Sequence, residues 1–168
     1  MPEASDLHLR LAGMALAHAV WSIEDGETLC TMAMLQDGEK RYITRYEADT
    51  ISDSVAEALA DLKERLVDGA FAALVYDGFY TGDDGLRLDS LIVELLVAND
   101  PAESANTASQ LGRLVQQYTP GKKSLFRRTR VALVGRPLAF GRLPANSPEV
   151  VVGGALEHEK VRDLFSEL

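Results

Sequence analysis

The chain has 168 residues, 46% hydrophobic and 26% charged, with a formal net charge of −9. One domain of that length buries roughly 70% of the surface its unfolded chain exposes, enough for a core without staples, and the composition excludes a disordered chain. Cys30 is the sole cysteine, so no internal disulfide forms and nothing asks for an oxidising compartment.

The start, MPEASD, is acidic and lacks the basic region of a signal peptide. The longest low-charge run, Leu11 to Ile23, has 13 residues. A bilayer takes ~20 apolar residues, so this run is a buried helix and not an anchor. A cytoplasmic location with no membrane partner is the expectation. Charge is unevenly spread. Residues 121–148 hold seven of the 17 Lys and Arg residues and no acid. That asymmetry calls for an anionic partner, or for packing of the segment against the acidic remainder of its own fold. The acidic whole repels nucleic acid at long range, so nucleic acid is not the expected partner.

Ser5 or Asp6 caps a first helix running to about Ile23. Leu7, Leu11, Met14, His18 and Trp21 fall on one face, and Leu9, Ala12, Leu16, Ala19, Val20 and Ile23 cover the other. Such a helix is buried on two sides, against a sheet and against a second helix or a second subunit. Thr28–Leu35 and Lys40–Tyr46 read as strands joined through Gln36-Asp37-Gly38-Glu39, a hairpin signal. Thr50 with Asp53 opens a second helix whose stripe is Ile51, Val55, Leu59, Leu62 and Leu66, with Asp53, Glu57, Asp61 and Glu64 outside and Gly69 ending it.

Two strands within Phe71–Asp100 flank the turn Gly82-Asp83-Asp84-Gly85. Asp100-Pro101-Ala102-Glu103 then reads as a cap, and Ala108, Leu111, Val115 and Tyr118 as the apolar points of a helix from about 102 to 118. A strand from Thr129 to about Phe140 contains Pro137, which confines it to an edge or ends it. Val150–Val152 reads as a short strand. Gly153-Gly154 precede a closing helix that buries Leu156, Val161, Leu164, Phe165 and Leu168. The order α-β-β-α-β-β-α-β-α describes one α+β domain over residues 1–168, with a single antiparallel sheet of about five strands and helices packed on it.

Pairing Thr81 with Leu86 sets Asp77 opposite Ser90 and puts Glu94 on the same face, with Asp89 on the other. A one-residue slip moves every one of these side chains. Carboxylates on an apolar surface are the raw material of general acid–base chemistry, so Asp77, Asp89 and Glu94 are the catalytic candidates. The structural alternative is a bulge at Asp77-Gly78 and an ion pair from Glu94 to Arg130 or Arg136. Gly121-Lys122-Lys123-Ser124 fails as a phosphate loop, since a helix rather than a strand is read ahead of it and the required upstream glycine is missing. His8, His18 and His158 are scattered and without a metal-binding spacing, and His18 reads as a core histidine. Cys30 reads as a small buried hydrophobe. No metal or cofactor is expected.

Lys122, Lys123, Phe126, Arg127, Arg128 and Arg130 make the one candidate binding patch, cations with an interleaved aromatic. Two functions follow. The first is a non-enzymatic protein-interaction module of adaptor, chaperone or inhibitor type, homodimeric through the first helix. The second is a small hydrolase or transferase using the carboxylates, with its anionic substrate held by the basic segment.

Overall fold

In the computed structural model, which describes residues 3–67, 69–98 and 108–168, the chain begins with helix α1 (Asp6–Ile23). The Ser5 backbone N–H donates to Nδ1 of His8 at 3.0 Å, so the histidine takes the place of a capping acid. Strands β1 (Thr31–Asp37) and β2 (Lys40–Tyr46) follow as a hairpin whose two-residue loop is Gly38-Glu39. Gly38 sits at φ 58°, the left-handed region such loops demand. Helix α2 (Ile51–Arg65) starts on Thr50, whose side chain accepts from the Asp53 N–H at 3.1 Å. Then come β3 (Phe71–Thr81), β4 (Arg87–Ala98), β5 (Ala108–Thr119), the short β6 (Lys122–Lys123) and β7 (Arg128–Thr129), β8 (Ala132–Gly141), α3 (Ser147–Ala155) and α4 (Arg162–Phe165).

Among the described residues, six strands form one antiparallel sheet in the order β2-β1-β3-β4-β5-β8, and β6 pairs only with β7. The α+β reading with helices packed on an antiparallel sheet holds, with six strands in place of about five. One face, bearing Met32, Met34, Val75, Leu91, Val93 and Leu114, packs on α1, α3 and α4. The other face, bearing Ala33, Leu35, Ala72 and Leu74, packs on α2 through Ala58, Leu62 and Leu66.

Several elements differ from the reading of the sequence. The expected helix over 102–118 is a strand from Ala108 onward; residues 102–107 lie outside the described residues. The reason is a β-bulge. Leu95 pairs with Gly112 and Leu96 with Gln110, which leaves Leu111 as the extra residue. The bulge turns Leu111 and Leu114, three apart, onto the same buried face, a spacing that imitates a helix.

Val150–Val152 is not a strand. It lies inside α3 with Gly153 and Gly154, because Pro148 sits in the first turn and starts a helix there. The second apolar side of α1 is taken by α3: a Cβ on Gly13 would lie 2.0 Å from the Val151 carbonyl oxygen, and one on Gly154 would lie 2.4 Å from that of Arg10. The two backbones touch where the glycines face them. The covering that pointed to a dimer through α1 is therefore supplied by the chain itself, with Leu7 and Trp21 left at the surface. In α2 the buried stripe is rotated to Ser54, Ala58 and Leu62, while Ile51 and Leu59 are exposed. Small side chains let the helix sit close to the sheet, where the Thr31 and Ser54 hydroxyls meet at 2.7 Å. Asp61 is not merely solvated; it accepts from the Tyr46 hydroxyl at 2.6 Å and from Arg65 at 3.0 Å.

β8 is an edge strand, as Pro137 requires. Its ladder to β5 jumps between Val115↔Leu138 and Gln117↔Val134, leaving Gly135, Arg136 and Pro137 bulged. Fully buried Gln116 fills the gap, its amide donating to the carbonyls of Gly135 at 3.0 Å and Gln117 at 2.9 Å.

Candidate interaction site

The β3–β4 register is Thr81↔Arg87, one residue away from the pairing expected, because the loop runs from Gly82 to Leu86 and closes with the Gly82 N–H on the Leu86 carbonyl at 3.1 Å. The slip reassigns every face. Asp77 now pairs across to Leu91 and Glu94 to Leu74, so the two carboxylates lie on opposite sides of the sheet. Asp89, expected opposite to Asp77, shares its side. The three candidates do not converge.

Asp77 and Glu94 are instead each held by their own neighbours. Asp77 accepts from the Tyr118 hydroxyl at 2.9 Å and from the Gly78 N–H at 3.0 Å. Burial raises its pKa above the usual carboxylate range; these two bonds pull it back, and nearby Asp89 adds to the rise. Buried Glu94 accepts from the Tyr76 hydroxyl and from Arg113, each at 2.7 Å, and not from Arg130 or Arg136. Burial and the bond to Glu94 hold the Tyr76 phenol well above its ordinary value, and the carboxylate raises the Arg113 guanidinium. Arg87 lies over the Phe79 ring at 4.2 Å.

The Tyr76–Glu94–Arg113 group sits on the face that α2 only half covers. Beyond it, the β4–β5–β8 half bears Ile92, Val115, Leu138 and Phe140, and Tyr80 packs its ring 5.6 Å from that of Phe140. Val134, Leu138 and Phe140 are 38–39% exposed. A shallow cavity of about 480 Å³ opens there, lined by Tyr80, Ile92, Val115, Phe140, Arg113 and Arg142. Arg113 is matched there by Glu94, and Arg142 at the rim donates to the Gln110 carbonyl at 3.4 Å, so the floor between them is mainly apolar.

No known protein family, curated protein or solved structure matches this chain. What it does must be read from its own surfaces.

The basic segment divides in two. Arg128 pairs with Asp25 through Nε at 2.6 Å and through Nη2; Arg130 pairs with Glu24 and, at 2.5 Å, with Asp163. Arg136 reaches Glu149 at 3.1 Å. These arginines tie the segment to α1, α3 and α4, as packing against the acidic remainder demands. Lys122, Lys123 and Arg127 make no ion pair among the described residues. Between them, at the tip of the β6–β7 hairpin, Leu125 and Phe126 are each 97% exposed. The sequence reading singled out Phe126 and passed over Leu125; two adjacent apolar residues closing a hairpin was the available signal.

His18 is half-buried rather than a core residue. Its ring lies 5.4 Å from that of Trp21 and 5.7 Å from that of His158, with Arg45 at 3.4 Å from Nε2. Burial lowers both histidine pKa values. Cys30 precedes β1, half-buried, its Sγ 3.5 Å from the Tyr46 carbonyl oxygen. No helix among the described residues is long and apolar enough to cross a membrane.

Proposed function

We propose that this chain is a non-enzymatic protein-interaction module of adaptor, chaperone or inhibitor type, whose docking surface is the uncovered β4–β5–β8 half of the sheet. The observation that carries the reading is the exposed apolar set Val134, Leu138 and Phe140, with Ile92 beside it, around a Glu94–Arg113 pair that is already satisfied. A reaction centre keeps a polar group free to work on a substrate; here both carboxylate neighbours are spent on Glu94. The occupant we favour is an apolar extended segment of a partner protein. The surface continues to the outer edge of β8, which pairs with no other strand among the described residues and where such a segment adds main-chain hydrogen bonds while alternate side chains fall on the floor.

The test is native mass spectrometry of the protein purified gently from its source cells, beside the variant Leu138→Lys/Phe140→Lys. A stoichiometric protein partner that the variant loses, with β8 amides protected from exchange in the complex, supports the reading. A partner retained by the variant, or a bound metabolite on a monomer, overturns it.

A further inference from the structure

The β6–β7 hairpin has an order from tip to base. Leu125 and Phe126 occupy the turn, with side chains almost wholly in water. Behind them lie Ser124 and Arg127, then the pair Lys123↔Arg128, then Lys122↔Thr129. The turn is fixed: the Ser124 N–H donates to the Arg127 carbonyl at 2.9 Å, and the Arg127 N–H donates to the Ser124 hydroxyl oxygen at 3.0 Å. The base is pinned. The Val131 N–H donates to the Glu24 carbonyl at 3.0 Å, Gly121 is so close that a Cβ there would lie 2.4 Å from that same oxygen, and Arg128 and Arg130 are tied to Asp25, Glu24 and Asp163. An exposed two-residue apolar tip is thus held out on a stiff stalk with a ring of cations behind it.

We propose that this hairpin is a finger that binds the surface of an anionic phospholipid bilayer, with Leu125 and Phe126 entering the acyl boundary and Lys122, Lys123 and Arg127 meeting the headgroup phosphates. The layering matches the interface, in which hydrocarbon lies deepest and phosphate above it. Area decides between a bilayer and a protein. A specific protein interface buries about 800 Å² per partner, far more than two side chains supply, whereas partition into a bilayer needs no matched surface. The net charge of −9 does not prevent contact, since charges beyond about 8 Å are screened at physiological salt and the free charges at the tip are cationic. The sequence expectation of no membrane rested on the length of apolar runs, which governs spanning and not surface binding. This finger is separate from the docking surface on the sheet, and each can fail without the other.

The experiment is co-sedimentation of the full chain with vesicles of phosphatidylcholine with and without phosphatidylserine. Binding is expected only with phosphatidylserine, and it is reversible, as for a single shallow anchor. Leu125→Ser/Phe126→Ser weakens it by about a hundredfold, about tenfold per side chain. Lys122→Glu/Lys123→Glu weakens it by at least about tenfold. Both variants melt at the wild-type temperature, because the replaced groups support nothing in the fold. In Phe126→Trp, the added fluorophore shifts to the blue on anionic vesicles while the wild-type Trp21 signal does not. Absence of wild-type binding overturns the proposal. So does binding indifferent to Leu125 and Phe126, which is adsorption by charge alone, and so does a tip variant that loses a protein partner while the wild type ignores vesicles.

Discussion

The packing of α1 on α3 can be tested with two adjacent glycines that should respond in opposite directions. A Cβ on Gly154 would sit 2.4 Å from the Arg10 carbonyl oxygen and 2.7 Å from the Arg10 Cα. Both obstacles are main chain, so no rotamer change relieves them and the helices must part by about 1 Å within a close-packed interior. Overpacking of this kind costs about 2–4 kcal/mol, at the upper end of the usual range. Replacing glycine in a helix interior returns about 1 kcal/mol. Gly154→Ala should therefore be net destabilising by about 1–3 kcal/mol, lowering Tm by roughly 2–12 °C for a chain of this length. Gly153, one residue earlier in α3, has nothing within 4 Å of its would-be Cβ. Gly153→Ala should keep only the propensity gain and raise Tm by roughly 2–4 °C. Thermal melts of both variants by circular dichroism decide the matter. If Gly154→Ala is as stable as Gly153→Ala, the close crossing of the two helices is wrong.

Arg113→Met strands the buried Glu94 carboxylate and should cost about 1–3 kcal/mol, the low end because Arg113 is itself half in water. Glu94→Gln should cost less, and in urea melts the double variant should lose less than the sum of the two. Asp77 has its pKa raised by burial, so its contribution is whole below the ordinary carboxylate value and is lost as pH rises through the folded value. The stability of Asp77→Asn relative to wild type should therefore improve from pH 3 to pH 7; a flat difference would remove the burial argument. Burial lowers the pKa of His18, reinforced by His158 and Arg45, and lowers that of His158, where a backbone hydrogen bond opposes it and Lys160 adds to it. Their contribution is whole above 6.5 and drains as pH falls through the folded values. Tm should decline over that acid window, and His18→Gln/His158→Gln should flatten the decline.

What was legible in the sequence follows from which signals are local. The Thr50 cap and the extent of α1 rest on contacts within a few residues, and each appears where the pattern puts it; the β1–β2 turn falls inside the expected four residues but is shorter, with Gln36 and Asp37 continuing β1. β5 was not legible, because its period is broken by a bulge that exists only against β4: with Leu111 unpaired, Leu111 and Leu114 come to one face, while Ala108 and Val115, which share the expected helical stripe with Leu111 and Tyr118, fall on the other. The burial of α2 through Ser54 and Ala58 was hidden for a related reason. The larger Ile51 and Leu59 mark the stronger apolar stripe, while close approach to the sheet selects the smaller one.

The candidate site turned on a single residue of loop length. With Thr81 paired to Leu86, Asp77 and Glu94 share a face and acid–base chemistry is a natural reading; with Thr81 paired to Arg87, they are separated by the thickness of the sheet. Strand side chains alternate with period two, so parity alone decides whether acids meet, and a turn holding Gly82, Asp83, Asp84 and Gly85 accommodates either parity. The same slip explains why each acid has a tyrosine. Tyr76 falls on the Glu94 side and Tyr118 on the Asp77 side, and each phenol donates to a carboxylate that would otherwise be buried with too few partners. Two carboxylates that looked like one reactive pair are thus two separate polar anchors. Arg113 completes the anchor on the half-covered face, where matching the Glu94 charge leaves the surrounding apolar floor open to a partner at no cost in unpaired charge.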